Sequence, residues 1–268
     1  MFPRIRISGA VRTTAMIASL VGLSMAEAQE AVMDHSAHQH SPEQLQELRD
    51  NVPALSTMND QQLMQLMEFM PGDYEVYVSD AALRGDVGVL ILDHGVSAEE
   101  DAVLEERLQP LAAAYPTAIG YGMTMMQSAH LQTAVDKLEA AGAKTIVLLP
   151  IVTSTYNSML RQWQYAFGQS DTVAYTAVPQ VESAADIVMA QPFEDDPLFS
   201  EIMRDYAMEI SSDPANEWVI MVAHGPEDDP DNVWDTANLE RHAQWLRANT
   251  DFDEVLAINL QDDAPPPV

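Results

Sequence analysis

Two histidines in this chain follow apolar runs, and a glycine follows each of them. The run VGVLILD leads to His94 and Gly95, and the run WVIMVA leads to His224 and Gly225. Side chains at the carboxyl ends of parallel strands line the ligand crevice of an open α/β sheet, so both imidazoles are predicted to face a metal ion or substrate. A lone histidine at a strand end is often only a polar cap, but the repetition favours a functional role.

A second group of histidines lies near the amino terminus. His35, His38 and His40 fall within one short polar segment. Imidazoles at this spacing on a flexible tail can bind Cu(II), Zn(II), Ni(II) or Co(II), and the alternative is a solvated tail, because chelation costs conformational entropy. The chain has no cysteine, so any metal site must use His, Asp, Glu, Met or main-chain ligands.

Residues 1–28 are predicted to be a secretory signal peptide. Three arginines precede an apolar stretch at 15–25, and Ala26-Glu27-Ala28 fits cleavage after Ala28. The stretch is shorter than the roughly 20 residues that span a bilayer. We therefore expect a periplasmic or secreted protein that is not membrane-bound after cleavage, with an uncleaved anchor as the alternative. The formal net charge of −30 disfavours nucleic acid as a partner.

Alternating strand and helix patterns in residues 73–170 predict a first α/β unit with a parallel sheet and right-handed crossovers. Before it, residues 29–72 form a histidine-containing polar tail and short helices that begin after Ser41 and Asn59. Within the unit, Ser128 is predicted to cap a helix that Gly142 ends. The predicted strands are 74–78, 88–93, 117–121 and 145–149, and the predicted helices are 98–114 and 129–141.

Residues 171–216 are predicted to be an acidic connector with one helix at 196–210. Residues 217–268 then repeat the order strand, His-Gly, helix and strand, and are predicted to form a second, truncated unit. Its predicted elements are 218–222, 231–248 and 254–259. A polar cluster at its first turn consists either of metal ligands or of ordinary helix-start residues. The cluster comprises His224, Asp228, Asp229 and Asn232.

The stretch VGVLILDHG and the later stretch MTMMQSAHLQTAVDKLEAAGAKTIVLLPIVTST resemble the sirohydrochlorin cobaltochelatase and ferrochelatase family of class II tetrapyrrole chelatases. The resemblance covers about residues 87–165 and, more weakly, 217–268. It implies a chelatase-like, doubly wound parallel sheet in tandem repeat, with the second unit incomplete. In this family the first His-Gly histidine binds the incoming metal. The resemblance therefore implies that His94 binds Co(II) or Fe(II) for insertion into a tetrapyrrole such as sirohydrochlorin.

Two positions depart from the family pattern. The family's second metal histidine aligns with Ser158, beside Asn157, and a family glutamate aligns with Met125. His130 or His224 is therefore predicted to assist His94 in catalysis. His130 starts a helix, whose positive end favours the neutral imidazole, and a solvent-facing helix-start histidine is the alternative.

Arg161 is predicted to anchor tetrapyrrole carboxylates, with Asn157 and Ser158 as further cofactor-binding residues. Three nearby thioethers either favour a soft ion such as Cu(I) or pack in the core. They belong to Met123, Met125 and Met126.

Two main functions follow from these predictions. The first is an enzyme, a chelatase-type lyase in which His94 holds the metal ion. The second is a non-catalytic extracytoplasmic protein that binds a metal ion or tetrapyrrole, and whose histidine-containing tail captures metal ions. Export favours the second, because cobalamin and sirohaem precursors are made in the cytoplasm. A partner-binding module is a third alternative.

Overall fold

The computed structural model describes residues 40–70, 72–226 and 229–261. The predicted signal peptide, His35, His38 and Asp228 lie outside this part. The strands are β1 (Tyr74–Tyr77), β2 (Val87–Asp93), β3 (Thr117–Tyr121), β4 (Thr145–Pro150), β5 (Asp186–Met189), β6 (Trp218–Ala223) and β7 (Glu254–Asn259). The α-helices are α1 (Pro42–Asn51), α2 (Asp60–Phe69), α3 (Ala98–Arg107), α4 (Gln109–Ala112), α5 (Ala129–Ala140), α6 (Ser158–Ala166), α7 (Pro197–Ile210) and α8 (Asp229–Asn249).

The main sheet has five strands in the order β1-β3-β2-β4-β5. Strands β2 to β5 run parallel to their neighbours, and β1 is an antiparallel edge strand beside β3. The predicted α/β class with a mostly parallel sheet is therefore confirmed. Both β2 and β3 end at the same edge, since Asp93 pairs with Tyr121. His94, which follows β2, consequently lies at the carboxyl edge of the sheet.

Helices cover both faces of this sheet. On one face, Leu90 and Leu92 of β2 pack with Leu131 of α5 and Trp163 of α6. On the other face, the neighbouring β2 residue Ile91 packs with side chains of α3 and α4. The β2 side chains are buried on both faces, which explains the unbroken apolar run in the sequence.

Helices α1 and α2 pack over the loop that follows β3. Ser41 and Asn59 cap them with the predicted capping boxes. The thioethers of Met125 and Met126 are buried against these helices, and Met123 packs against the same cluster. The methionines therefore pack in the core, which was the alternative to a soft-metal site.

Several elements differ from their predictions. The predicted helix 98–114 is broken between α3 and α4, because Pro110 has no N–H to continue the hydrogen-bond ladder. Ser128 precedes α5 but makes no capping bond, since its hydroxyl donates to the Pro179 carbonyl. The predicted connector also contains β5, which extends the first sheet to residue 189. Helix α6, which carries Arg161, was not predicted.

The second sheet contains two parallel strands, β6 and β7. Helix α8 connects them and packs Ala243 and Leu246 against Met221 and Val255. The order of strand, His-Gly, helix and strand agrees with the prediction for this segment. No helix in the described part of the chain is apolar enough, over a sufficient length, to cross a bilayer.

Candidate functional site

The two His-Gly pairs adopt the same local geometry. Gly95 and Gly225 both have positive φ angles, +73° and +78°, which glycine adopts without steric cost. The Nδ1 atom of His94 lies 2.5 Å from the Gly95 carbonyl oxygen, and the Nδ1 atom of His224 lies 2.9 Å from that of Gly225. The two turns therefore share a backbone shape as well as a sequence.

This contact determines which ring nitrogen carries the proton. A carbonyl oxygen can only accept a hydrogen bond, so the Nδ1 atom of His94 must be the donor. In the neutral ring, the lone pair then resides on Nε2. Metal-binding histidines commonly donate one ring N–H to a carbonyl or carboxylate in this way, which orients the other nitrogen toward the ion.

The turn that holds His94 is fixed by two carboxylates. Asp93 accepts a hydrogen bond from the Gly95 amide at 2.8 Å, and Asp101 on α3 accepts one from the Val96 amide at 3.0 Å. Burial, and then the nearby Asp101 carboxylate, raise the pKa of Asp93. Burial, again followed by Asp101, also raises the pKa of Glu105.

A pair of tyrosines lies beside these carboxylates. The rings of Tyr74 and Tyr121 stack with centroids 4.7 Å apart. The Tyr74 hydroxyl donates to the Asp101 carboxylate, and the Tyr121 hydroxyl donates to the Asp101 carbonyl. Burial is the main cause that raises the pKa of both tyrosines, so both remain protonated donors. This group was not predicted from the sequence, because Asp101 resembles an ordinary acidic residue of a helix first turn.

Asp73 is a half-buried carboxylate near the end of β3 that was not predicted from the sequence. It accepts a hydrogen bond from the amide of Thr124, a residue with a φ of +56°. Burial raises the pKa of Asp73 to about 6. A Cβ atom at Gly122 would lie 2.1 Å from the Asp73 carboxylate, so this position requires glycine. Asp73 therefore helps to hold the strained loop that follows β3.

His130 is buried rather than solvent-facing. It starts α5, as predicted, but is only 7% exposed, and its ring lies against β3 near Gly120. Neither ring nitrogen has a hydrogen-bond partner among the described residues. Burial lowers its pKa to about 4. The His130 imidazole is therefore neutral, as predicted. Burial is the cause, rather than the positive end of the helix that the prediction invoked.

The predicted cofactor-binding residues lie together on α6. Asn157 is the N-cap of this helix, and its side-chain oxygen accepts a hydrogen bond from the Leu160 amide at 3.2 Å. Arg161 forms an ion pair with Asp231 of α8. Ser158 and Arg161 line a cleft of about 220 Å³. The other lining residues are Asn51, Pro53, Thr172, Val173 and Ala174, so the cleft is not lined by His94.

The remaining predicted ligands do not join His94. His224 is exposed at the end of β6, and His40 immediately precedes the N-cap of α1. Asn232 accepts a hydrogen bond from Asn259 at 2.9 Å, which links α8 to the end of β7. Among the residues that the structure describes, no three His, Asp or Glu side chains are grouped closely enough to hold a metal ion.

No family model matches this chain, and a search of curated proteins found no significantly similar sequence.

Proposed function

We propose that this protein binds a divalent metal ion, of the Co(II) or Fe(II) type, through the Nε2 atom of His94. The observation that carries the proposal is the contact between the Nδ1 atom of His94 and the Gly95 carbonyl. It leaves Nε2 as the nitrogen with a free lone pair at the carboxyl edge of the sheet, where open α/β folds bind their ligands. One protein ligand leaves further positions on the ion for water or for a tetrapyrrole.

The charge around His94 supports a cationic ligand. Asp93 and Asp101 fix the turn that carries the imidazole, and the whole chain has a formal net charge of −30. A negative surface raises the local concentration of cations and lowers that of anions. We propose that binding takes place outside the cytoplasm, after cleavage of a signal peptide behind Ala28, and that the tail with His35, His38 and His40 supplies the ion.

The geometry of the site supports metal binding alone better than catalysed insertion of the metal into a tetrapyrrole. The family's second metal ligand is replaced by Ser158, and the neighbouring Asn157 uses its side-chain oxygen to cap α6. Arg161, proposed as the anchor for carboxylates, already forms an ion pair with Asp231. His130, proposed as the assisting base, lies in the first turn of α5 and is only 7% exposed, against β3.

Metal insertion into a tetrapyrrole is the second candidate, and one specific observation favours it. Chelation requires a base that accepts the two pyrrole protons. Asp93 and Glu105 lie close to Asp101, and both have raised pKa values, so each has an increased affinity for a proton. In this version His94 holds the metal ion and the carboxylates accept the protons.

Isothermal titration of the exported protein with CoCl₂ tests the binding site. We expect one site that disappears in His94→Ala and persists in His224→Ala, which removes the matched histidine of the second unit. Deletion of residues 29–40 separates binding by the tail from binding at His94. The proposal is wrong if, once binding by the tail is set aside, His94→Ala leaves the binding of CoCl₂ unchanged.

The visible spectrum of sirohydrochlorin separates the two functions. With Co(II) and the protein present, binding alone shifts the spectrum but leaves metal insertion at the uncatalysed rate. Catalysed insertion that is lost in His94→Ala would establish the chelatase instead. Asp93→Asn then tests the base, and we expect slower insertion with metal affinity largely retained.

A further inference from the structure

The second sheet exposes one apolar face. Side chains alternate between the two faces of a strand, and Ile220 pairs with Leu256 while Val222 pairs with Ile258. These four residues therefore share a face, which Trp218 extends beside Glu254 at one end and Leu260 extends at the other. We call this surface the open face. Its six residues are between 37% and 62% exposed in the described part of the chain.

Comparison with the first sheet shows what such a face normally contacts. Asp93 directly precedes the first His-Gly pair, and Ala223 directly precedes the second. Strands β2 and β6 can therefore be matched residue by residue from these positions. Leu90 then corresponds to Ile220, and Leu92 corresponds to Val222. In the first sheet both leucines are fully buried beneath α5 and α6. The open face is therefore the face that helices cover in the first sheet.

The opposite face of the second sheet is covered in the same manner as its counterpart. Ile91 corresponds to Met221, and these side chains are 1% and 8% exposed. Helices α3 and α4 cover the first, and α8 covers the second. Parallel sheets are almost always buried on both faces, so a sheet with only one covered face is incomplete by itself.

The open face lacks the small residues that let α5 lie close to β3 in the first sheet. In β3 the corresponding positions are Ala118 and Gly120, and a Cβ atom at Gly120 would lie 2.5 Å from Leu131 of α5. Small residues thus let α5 approach closely. In β7 these positions hold the large residues Leu256 and Ile258. Three of the six side chains on the open face are β-branched, and large apolar side chains interdigitate when two sheets pack face to face.

We propose that the open face is the contact surface between two copies of this chain, which pack sheet on sheet about a two-fold axis. A two-fold contact uses the same patch on both copies, which one self-complementary apolar face can provide. The six side chains expose on the order of 600 Å² per copy, so the dimer would bury about 1,200 Å², at the lower end for specific interfaces. This inference does not depend on the proposed metal site.

Sedimentation velocity on the full purified chain tests the proposal. We expect a dimer whose dissociation constant rises at least ~10-fold in Ile220→Glu, because the charge would be buried in the interface. Leu198→Glu is the matched control, since Leu198 is 67% exposed on α7 and outside the open face. Raising the salt concentration should strengthen the dimer, because each copy carries a formal net charge of −30.

Crosslinking provides a second readout that does not depend on a disruptive substitution. The chain contains no cysteine, so Ile220→Cys introduces a single thiol. A short bismaleimide should join two copies through this thiol, whereas Leu198→Cys should still dimerise but should not be crosslinked. A chain that stays monomeric at high concentration and high salt would overturn the proposal. So would a dimer that Ile220→Glu does not weaken, since another surface would then form the contact.

Discussion

At the scale of single residues, the two histidine turns share a backbone shape but differ in the space around their glycines. A Cβ atom at Gly95 would meet its nearest neighbour at 3.5 Å, which is an ordinary contact. A Cβ atom at Gly225 would lie 2.9 Å from the Cβ atom of Asn259, which is too close. Both positions have positive φ angles, but only Gly225 is also confined by a neighbouring side chain.

Substitution of alanine for these two glycines should therefore lower the free energy of unfolding by different amounts. We expect Gly95→Ala to lower the free energy of unfolding by about 1 kcal/mol through backbone strain alone. Gly225→Ala should cost about 1–3 kcal/mol more, because the neighbouring strand must move. Urea unfolding followed by tryptophan fluorescence measures both losses. Equal losses would show that crowding by Asn259 has no energetic consequence.

Asp73 should make stability depend on pH in a direction opposite to that of most carboxylates. Its folded pKa is about 6, above its ordinary value of 3.8, so the folded state binds the proton more tightly. Its contribution to stability is present when the carboxyl is protonated and is lost as the pH rises from about 4 to 6. At pH 7 the structure therefore contains a costly buried charge.

Asp73→Asn removes this charge and keeps an oxygen that can accept from the Thr124 amide. We expect the variant to exceed the wild type in free energy of unfolding by about 2 kcal/mol at pH 7. The advantage should shrink as the pH falls from 6 to 4. Asp171→Asn, at an exposed position, is the control and should show no such trend. A constant difference between pH 7 and pH 4 would contradict the assignment.

At the scale of elements, the sequence predicted those with strong periodicity and missed those held by tertiary contacts. Strands β3 and β7 were predicted with correct limits, because each is an apolar run with clear ends. Strand β5 has only four residues with a half-exposed pattern, so its signal is weak without its partner β4. Helix α6 had a signal in its N-cap Asn157, but that residue was interpreted as cofactor-binding instead.

In the candidate site, too, the features that depend on tertiary contacts could not be predicted from the sequence. His94 and Gly95 could be found in the sequence because they follow a strand. The carboxylates and tyrosines around them could not, because Tyr74 lies 27 positions from its hydrogen-bond partner Asp101. His130 was correctly placed at the start of a helix, but its burial depends on how α5 packs on β3. Sequence patterns do not report such packing.

Strand β5 depends on one carboxylate of α5 for its position. Glu139 accepts hydrogen bonds from the Ser183 hydroxyl and the Ala184 amide, both at 2.7 Å, and from the Ala185 amide at 3.2 Å. Together these bonds lower the pKa of Glu139, so it remains ionised. They fix the turn that leads directly into β5.

Removal of this carboxylate should loosen β5 without unfolding the remaining sheet. We expect hydrogen exchange at residues 184–189 to accelerate at least ~10-fold in Glu139→Ala, because the entry turn loses its acceptors. Thr133→Ala on the same helix is the control, since the exposed Thr133 hydroxyl donates to the Ala129 carbonyl within α5. Unchanged exchange in β5 would mean that its pairing with β4 alone determines its position.

At the scale of the whole molecule, the two sheets differ in how well they are enclosed. The first has five strands and is covered on both faces, whereas the second has two strands and a separate small core. Polar contacts connect the two regions, among them the Arg161–Asp231 ion pair and the hydrogen bond from Asn238 to the Thr153 carbonyl. Partly exposed ion pairs contribute little to stability, so the second region has limited support from the first.

The second sheet should therefore open before the first. At low protein concentration we expect amides of β6 and β7 to exchange at least ~100-fold faster than those of β2 and β3, since a two-stranded sheet is only marginally stable by itself. This sheet lacks apolar contacts on its open face, which a second copy of the chain would cover. Exchange in β6 and β7 should consequently slow as protein concentration and salt increase, while exchange in β2 stays constant. Equal exchange in both sheets at every concentration would mean that α8 alone stabilises the second sheet and that its apolar face needs no covering layer.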